Sequence, residues 1–176
     1  MNTKHSNQVI YTIGHGTLPL EVFLAILDSF AIDQVIDVRS IPRSRHNPQF
    51  NFESLPKVLR NKHIGYRHEK DLGGLRRVHK DSINTAWQNP SFRAYADYMQ
   101  TPAFVEAVNK ILKLAQKKTV VLMCAESVPW RCHRSLIGDA LLVRGIDVYD
   151  IFAANRCKAH SLTPWAKVQG TRVFYP

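Results

Sequence analysis

Thr119-Val-Val-Leu-Met-Cys-Ala-Glu-Ser-Val-Pro-Trp-Arg-Cys-His-Arg134 sets a short apolar run against a crowd of reactive side chains. Thr119 to Met123 has the pattern of an interior strand. Beyond the crowd, Leu136, Ile137, Ala140, Leu141 and Val143 recur at helical spacing, which predicts a helix over 131–144 stopped by Gly145. Cys124 therefore leaves a strand end, and Cys132, His133 and Arg134 open a helix. Two thiols, a carboxylate, an imidazole and two guanidiniums converge on one strand-loop-helix unit, which marks a site as well as a fold.

The same unit recurs toward the amino terminus. Val9-Ile-Tyr-Thr-Ile13 reads as a strand closed by Gly14-His15-Gly16, and Leu20, Phe23, Leu24, Leu27 and Phe30 form one face of a helix with Pro19 and Glu21 in its first turn. Residues 34–38 read as a second strand. Leu55, Val58 and Leu59 predict a helix ending near Lys62, with Pro56 favouring Ser54 over Asn51 as its cap. Ile64 to His68 reads as a third strand, and Asp71-Leu-Gly-Gly-Leu75 turns into a polar loop reaching about residue 90, too long to be idle. Thr101-Pro102 is a cap followed by proline, and Phe104, Val108, Ile111, Leu112 and Ala115 give a helix closed by Lys117-Lys118. Ile146 to Ile151 is a further strand, and Arg172 to Tyr175 reads as a last one. Alternating strands and helices predict an α/β fold: a mainly parallel open sheet of about five strands with helices on both faces, in a single three-layer domain over 1–176. In such sheets ligands bind beyond the carboxyl ends of the strands. Those ends carry Gly14-His15-Gly16, Asp37 with Arg39, and Cys124 with Glu126, so three loops are expected to share a cleft.

With 45% hydrophobic residues in 176, the chain can build one sizeable core unaided. No stretch approaches the roughly 20 apolar residues needed to span a bilayer, and Met1 to Gln8 lacks the apolar run of a secretory signal. Three cysteines, an odd count, argue for reduced thiols over a disulfide framework, with Cys157 a bystander. A cytoplasmic protein without membrane association is the expectation.

The net charge of +10 is unevenly spread: residues 39–80 hold eleven Lys/Arg against three Asp/Glu, whereas 1–38 hold one against four. Arg39, Arg43 and Arg45 lie within Asp37-Val-Arg-Ser-Ile-Pro-Arg-Ser-Arg45, directly after a strand, and guanidinium forks suit bidentate contacts to phosphate or carboxylate. The expected partner is an anionic small molecule or nucleotide. Phe50, Phe52, Tyr66, His68 and Trp87 near the basic segment leave nucleic-acid binding as an alternative.

Thr12-Ile-Gly-His15, Asp37 to Arg45, Pro48-Gln-Phe-Asn51, Leu72-Gly-Gly74, Met123-Cys-Ala-Glu126 and Cys132-His-Arg134 together resemble the family called domain of unknown function 488, over about residues 10–151. The resemblance implies a small intracellular bacterial or archaeal α/β domain with no established activity, followed by a carboxy-terminal extension over 152–176. It draws Asn51, Gly73 and Gly74 into the expected site. Gly16 and Asp150 stand where the family commonly has serine and histidine.

Asp37, Cys124, Glu126, His133 and His15 are the candidate catalytic residues; Gly14, Arg39, Arg43, Arg45, Asn51, Gly73, Gly74, Arg131, Cys132 and Arg134 are the candidate substrate-binding set. Asp37 and Glu126, on neighbouring strand ends, suit general acid/base work if they face one cleft, or else each neutralises an arginine. The leading expectation is a hydrolase or transferase acting on a phosphorylated or nucleotide-like substrate, with Arg39 and Arg134 exposed in a preformed cleft to grip its oxygens. Cysteine-based chemistry is a further alternative. Cys124 and Arg131 are separated by six residues and Pro129 removes a backbone donor, which departs from the fixed spacing of cysteine phosphatase and sulfurtransferase loops. No pair of close-spaced motifs completes four metal ligands, and adjacent Cys132 and His133 rarely reach one ion, so neither metal nor cofactor is expected.

Overall fold

The computed structural model describes residues 8–176, so the polar segment before them lies outside the described residues. The elements run β1 (Val9–Gly14), α1 (Leu20–Ser29), β2 (Gln34–Asp37), α2 (Leu55–Asn61), β3 (Gly65–His68), α3 (Pro90–Tyr98), α4 (Pro102–Ala115), β4 (Val120–Cys124), α5 (Arg134–Leu142), β5 (Asp147–Ala153), β6 (Arg156–Ala159), β7 (Lys167–Gln169) and β8 (Arg172–Phe174). The main sheet has the order β3-β2-β4-β1-β5-β6 and is parallel except for β6.

Side-chain alternation along the strands builds two cores. Ile36, Val38, Val120, Leu122 and Cys124 face one way, against Tyr95 of α3, Phe104 and Val108 of α4, and Leu136 and Ile137 of α5. Val35, Val121, Met123 and Ile13 face the other way, against Phe23 and Leu27 of α1 and Leu55 and Leu59 of α2. Helices thus cover both faces, which is why β4 is buried at every residue and reads as a continuous apolar run.

Three features differ from the sequence reading. The sheet has six strands rather than about five: Asn155 takes a positive φ of 55° and returns the chain as β6, whose Arg156–Ala159 is exposed throughout and so carries no apolar alternation. Arg172–Phe174 forms a separate hairpin with Lys167–Gln169 instead of joining the main sheet. The polar stretch to residue 90 ends in an additional helix, α3, capped by the Asn89 carboxamide, which accepts from the Ser91 N–H at 2.8 Å. Gly145 does take the left-handed conformation, with φ 78°.

The topology also fixes where a ligand fits. β4 lies between β1 and β2, with Gly14 opposite Cys124 and Asp37 opposite Met123. The loops leaving β1 and β2 run to helices on one face, while the loop leaving β4 runs to α5 on the other. Adjacent parallel strands whose connections diverge in this way leave a crevice at their carboxyl ends. Among the described residues, no helix is long and apolar enough to cross a membrane.

Candidate functional site

A cavity of about 690 Å³ opens at that crevice. Of the residues expected at the site, His15, Arg39, Arg43, Gly74, Cys124, Glu126, Arg131, Cys132 and His133 line it, while Gly14, Asp37, Arg45, Asn51, Gly73 and Arg134 do not.

The β1–β2 side is chemically closed. Arg39 is only 5% exposed. Its backbone N–H and Nε donate to Asp37 Oδ1 at 3.1 and 2.9 Å, its Nη2 donates to Asp37 Oδ2 and the Phe50 carbonyl at 2.7 Å each, and its Nη1 lies 3.2 Å from His15 Nε2. Tyr66 donates its hydroxyl to Asp37 Oδ2 at 2.6 Å; burial, and then the Asp37 charge, push that phenol's pKa up. Both carboxylate oxygens are therefore occupied, and Asp37 anchors the loop instead of pairing with Glu126 for proton transfer. His15 Nδ1 faces the Gly16 carbonyl at 2.9 Å, so it carries the proton, and Nε2 is left to accept from Arg39. The ring stacks on Phe50 at 4.2 Å, and burial lowers its pKa to about 4, which keeps it neutral at pH 7.

Arg134, at 1% exposure, is likewise structural. Its Nη1 donates to Thr12 Oγ1 at 3.0 Å and its Nη2 to the Glu126 carbonyl at 2.7 Å. The chain passes so close there that a Cβ on Gly14 would stand 1.7 Å from the Glu126 carbonyl oxygen. Gly14 makes room for the protein itself and not for a ligand. Gly73 is similarly pressed against Ser40. The exposed Arg43 pairs with Glu53, and Asn51 Oδ1 accepts from the Ser44 N–H at 2.6 Å, fixing the arginine-bearing loop rather than lining the cavity. Arg45 is exposed outside the cavity.

The β4–α5 side is open. Cys124 and Cys132 are buried at the cavity floor, with their sulfurs within 4.8 Å of each other. Cys132 Sγ also accepts from the Arg134 N–H at 3.4 Å and lies 3.7 Å from His133 Nδ1. The Cys124 donor above all pushes the Cys132 pKa well down, with His133 and Arg134 acting in the same direction; the same contact, with burial, pushes Cys124 well up. The two thiols are thus pushed apart, with Cys132 the more acidic of the pair. His133 pairs with neither Asp37 nor Glu126. Its Nε2 meets the Val38 carbonyl at 2.9 Å and so carries a proton, which turns Nδ1 toward the Cys132 sulfur. Gly74 permits this, since a Cβ there would come within 2.7 Å of Nδ1. Arg131 and Glu126 are exposed at the cavity and make none of the side-chain ion pairs found among the described residues.

The sequence reading missed Ser40, Asn47, Ser91, Phe92 and Ser127, which also line the cavity. Ser91 and Phe92 arrive on α3, whose Asn89-Pro90 start repeats the cap-and-proline signal of Thr101-Pro102. Below the sheet's carboxyl end a second polar chain is closed off: Thr12 donates to Asp150, His160 bridges Asp150 and Asp139, and Tyr175 donates to Asp139 Oδ2 at 2.8 Å. The carboxy-terminal segment is therefore stitched into the core, and Asp150 serves that network.

No curated protein and no solved structure matches the chain. A sequence model of a family described as Domain of unknown function DUF488 matches residues 19–141, a narrower span than 10–151 that begins after the Thr12-Ile-Gly-His15 block but includes both arginine-bearing and cysteine-bearing loops. With most of its length matched, including the loops that build the open side of the cavity, the chain belongs to the DUF488 family.

Proposed function

We propose that this protein is an enzyme that holds a phosphorylated or nucleotide-like anion in the cavity and hydrolyses it or transfers a group from it, with the reaction running through Cys132. The observation that carries the reading is the Cys132 sulfur, which accepts a backbone N–H at the floor of a ligand-sized cavity whose rim bears the exposed Arg131, and whose surroundings push its pKa down. Arg131 supplies the charge that grips anionic oxygens, and His133 Nδ1 lies 3.7 Å from the sulfur. Arg39, Arg134, His15 and Asp37 hold the shape of the site.

A nucleic-acid surface is supported less well. Of the basic surplus in 39–80, Arg39 is internal, Arg43 pairs with Glu53, Arg67 pairs with Glu69, and Arg76 lies over the Tyr98 ring. Phe50 is buried and Tyr66 is bonded to Asp37. All three cysteines are free thiols, which suits a reducing cytoplasm.

The test is turnover of a panel of phosphorylated and nucleotide compounds, with anion binding measured alongside. Cys132→Ser should abolish turnover while the variant still binds the anion. A substrate turned over at the wild-type rate by Cys132→Ser would refute the assignment.

A further inference from the structure

We infer that Cys124, Cys132 and His133 form a metal site for a soft divalent ion of the zinc type, with its fourth position open to the cavity. The donor atoms of the three residues all lie within 4.8 Å of one another. In tetrahedral zinc sites, bonds of about 2.3 Å to sulfur and 2.0–2.1 Å to nitrogen put an S and an N ligand about 3.6 Å apart, and two sulfurs about 3.8 Å apart. The Cys132 Sγ to His133 Nδ1 distance is 3.7 Å, already that of a shared ion. Closing the remaining edges requires movements of about 1 Å or less.

Three further observations point the same way. The His133 ring is fixed by its Nε2–H on the Val38 carbonyl, the outer contact that orients metal-binding histidines and leaves the other nitrogen as ligand. Cys132 Sγ accepts from the Arg134 N–H, a contact that also stabilises a ligating thiolate. Two sulfurs and one imidazole make a soft donor set suited to zinc and unsuited to magnesium or calcium. Sequence spacing hid this because the ligands come from a strand end and a helix start, and because adjacent residues rarely converge; here Cys132 is extended, with φ −132°, and His133 turns into the helix, with φ −58°.

The inference deepens the function proposed above and rests on the same cavity floor. With an ion in place, Cys132 would serve the reaction as a ligand and not as a nucleophile, and the open position would offer Lewis-acid polarisation of a substrate oxygen or of water. Loss of anion binding by metal-free Arg131→Ala tests the earlier reading, whereas metal uptake tests this one, so either can fail alone.

The experiment uses the full chain, reduced and stripped of metal, titrated with zinc against a chromophoric chelator. One ion per chain at sub-micromolar affinity is expected. Cys124→Ser and Cys132→Ser should each weaken binding by at least about 100-fold, and Cys157→Ser should not change it. In case the variants misfold, iodoacetamide mapping of the wild-type protein gives an independent reading: zinc should protect Cys124 and Cys132 and leave Cys157 reactive. Absent or superstoichiometric uptake, or equal labelling of all three thiols with and without zinc, would overturn the inference.

Discussion

The two sides of the cavity are built from similar polar residues and do opposite things. On the β1–β2 side, each charged or imidazole group is spent on another: Asp37 on Arg39 and Tyr66, His15 on Gly16 and Arg39. On the β4–α5 side, Cys132 Sγ and His133 Nδ1 lie 3.7 Å apart with neither tied to a charged side chain, and Arg131 is exposed beside them. A buried charge without a partner is strongly unfavourable, so the closed side is what a fold requires, whereas soft donor atoms left without a charged partner beside a cavity invite an electrophile or a metal. The lesson is that an arginine next to a strand end signals a site only when its fork has nothing else to hold.

The sharpest way to break this contrast is Arg39→Ala. Removing the guanidinium leaves the Asp37 carboxylate buried with only Tyr66 and the residue 39 backbone N–H to satisfy it, a loss on the order of 3–5 kcal/mol for a broken buried pair. Denaturant unfolding should show a large drop in midpoint. A variant with the wild-type midpoint but no anion binding would make Arg39 a ligand-gripping residue, and the distinction between the two sides would collapse.

A second closed network sharpens the comparison through pH. Burial disfavours the His160 charge, but hydrogen bonds to Asp139 and Asp150 overcome it and raise the pKa from 6.5 to about 9. The folded state holds its proton more tightly than the unfolded chain, so the stabilisation is whole below about pH 6.5 and is lost as pH rises to about 9. Its size is on the order of 3 kcal/mol. Urea unfolding between those pH values should show falling stability in the wild type and a flatter profile in His160→Gln. An identical slope in both would remove His160 from the account.

The sheet and its crevice were legible because their signals are local and redundant: apolar runs at 120–124 and 34–37, and helical spacing after Leu20 and Pro102. β6 was invisible because an exposed edge strand needs no apolar alternation, and α3 was passed over although Asn89-Pro90 announced it. At the site, the reading expected Arg39 and Arg134 to be exposed and Asp37 to face Glu126, whereas both arginines are buried and Asp37 is held by Arg39 and Tyr66, since residue type cannot tell which groups will consume one another across sequence separations such as the 122 residues from Thr12 to Arg134. The reading judged ligand spacing along the chain, and the closeness of the Cys124, Cys132 and His133 donor atoms, within 4.8 Å of one another, comes from a strand end and a helix start meeting in space.

The smallest expected effect on stability is the most discriminating for the open side. Arg131 is exposed at the end of the Pro129–Arg131 turn and makes none of the ion pairs among the described residues, so Arg131→Ala should change folding stability by no more than about 0.5 kcal/mol. A charged hydrogen bond to a phosphate oxygen is worth enough that its loss should weaken inorganic phosphate or nucleotide binding by about tenfold. Because this charge sits in solvent, its share of the affinity should also shrink with salt, which a buried guanidinium would resist. Calorimetric titration of both proteins at two ionic strengths separates the cases: a wild-type advantage that fades with salt places the anion at the β4–α5 rim, and an unchanged affinity in Arg131→Ala moves it elsewhere.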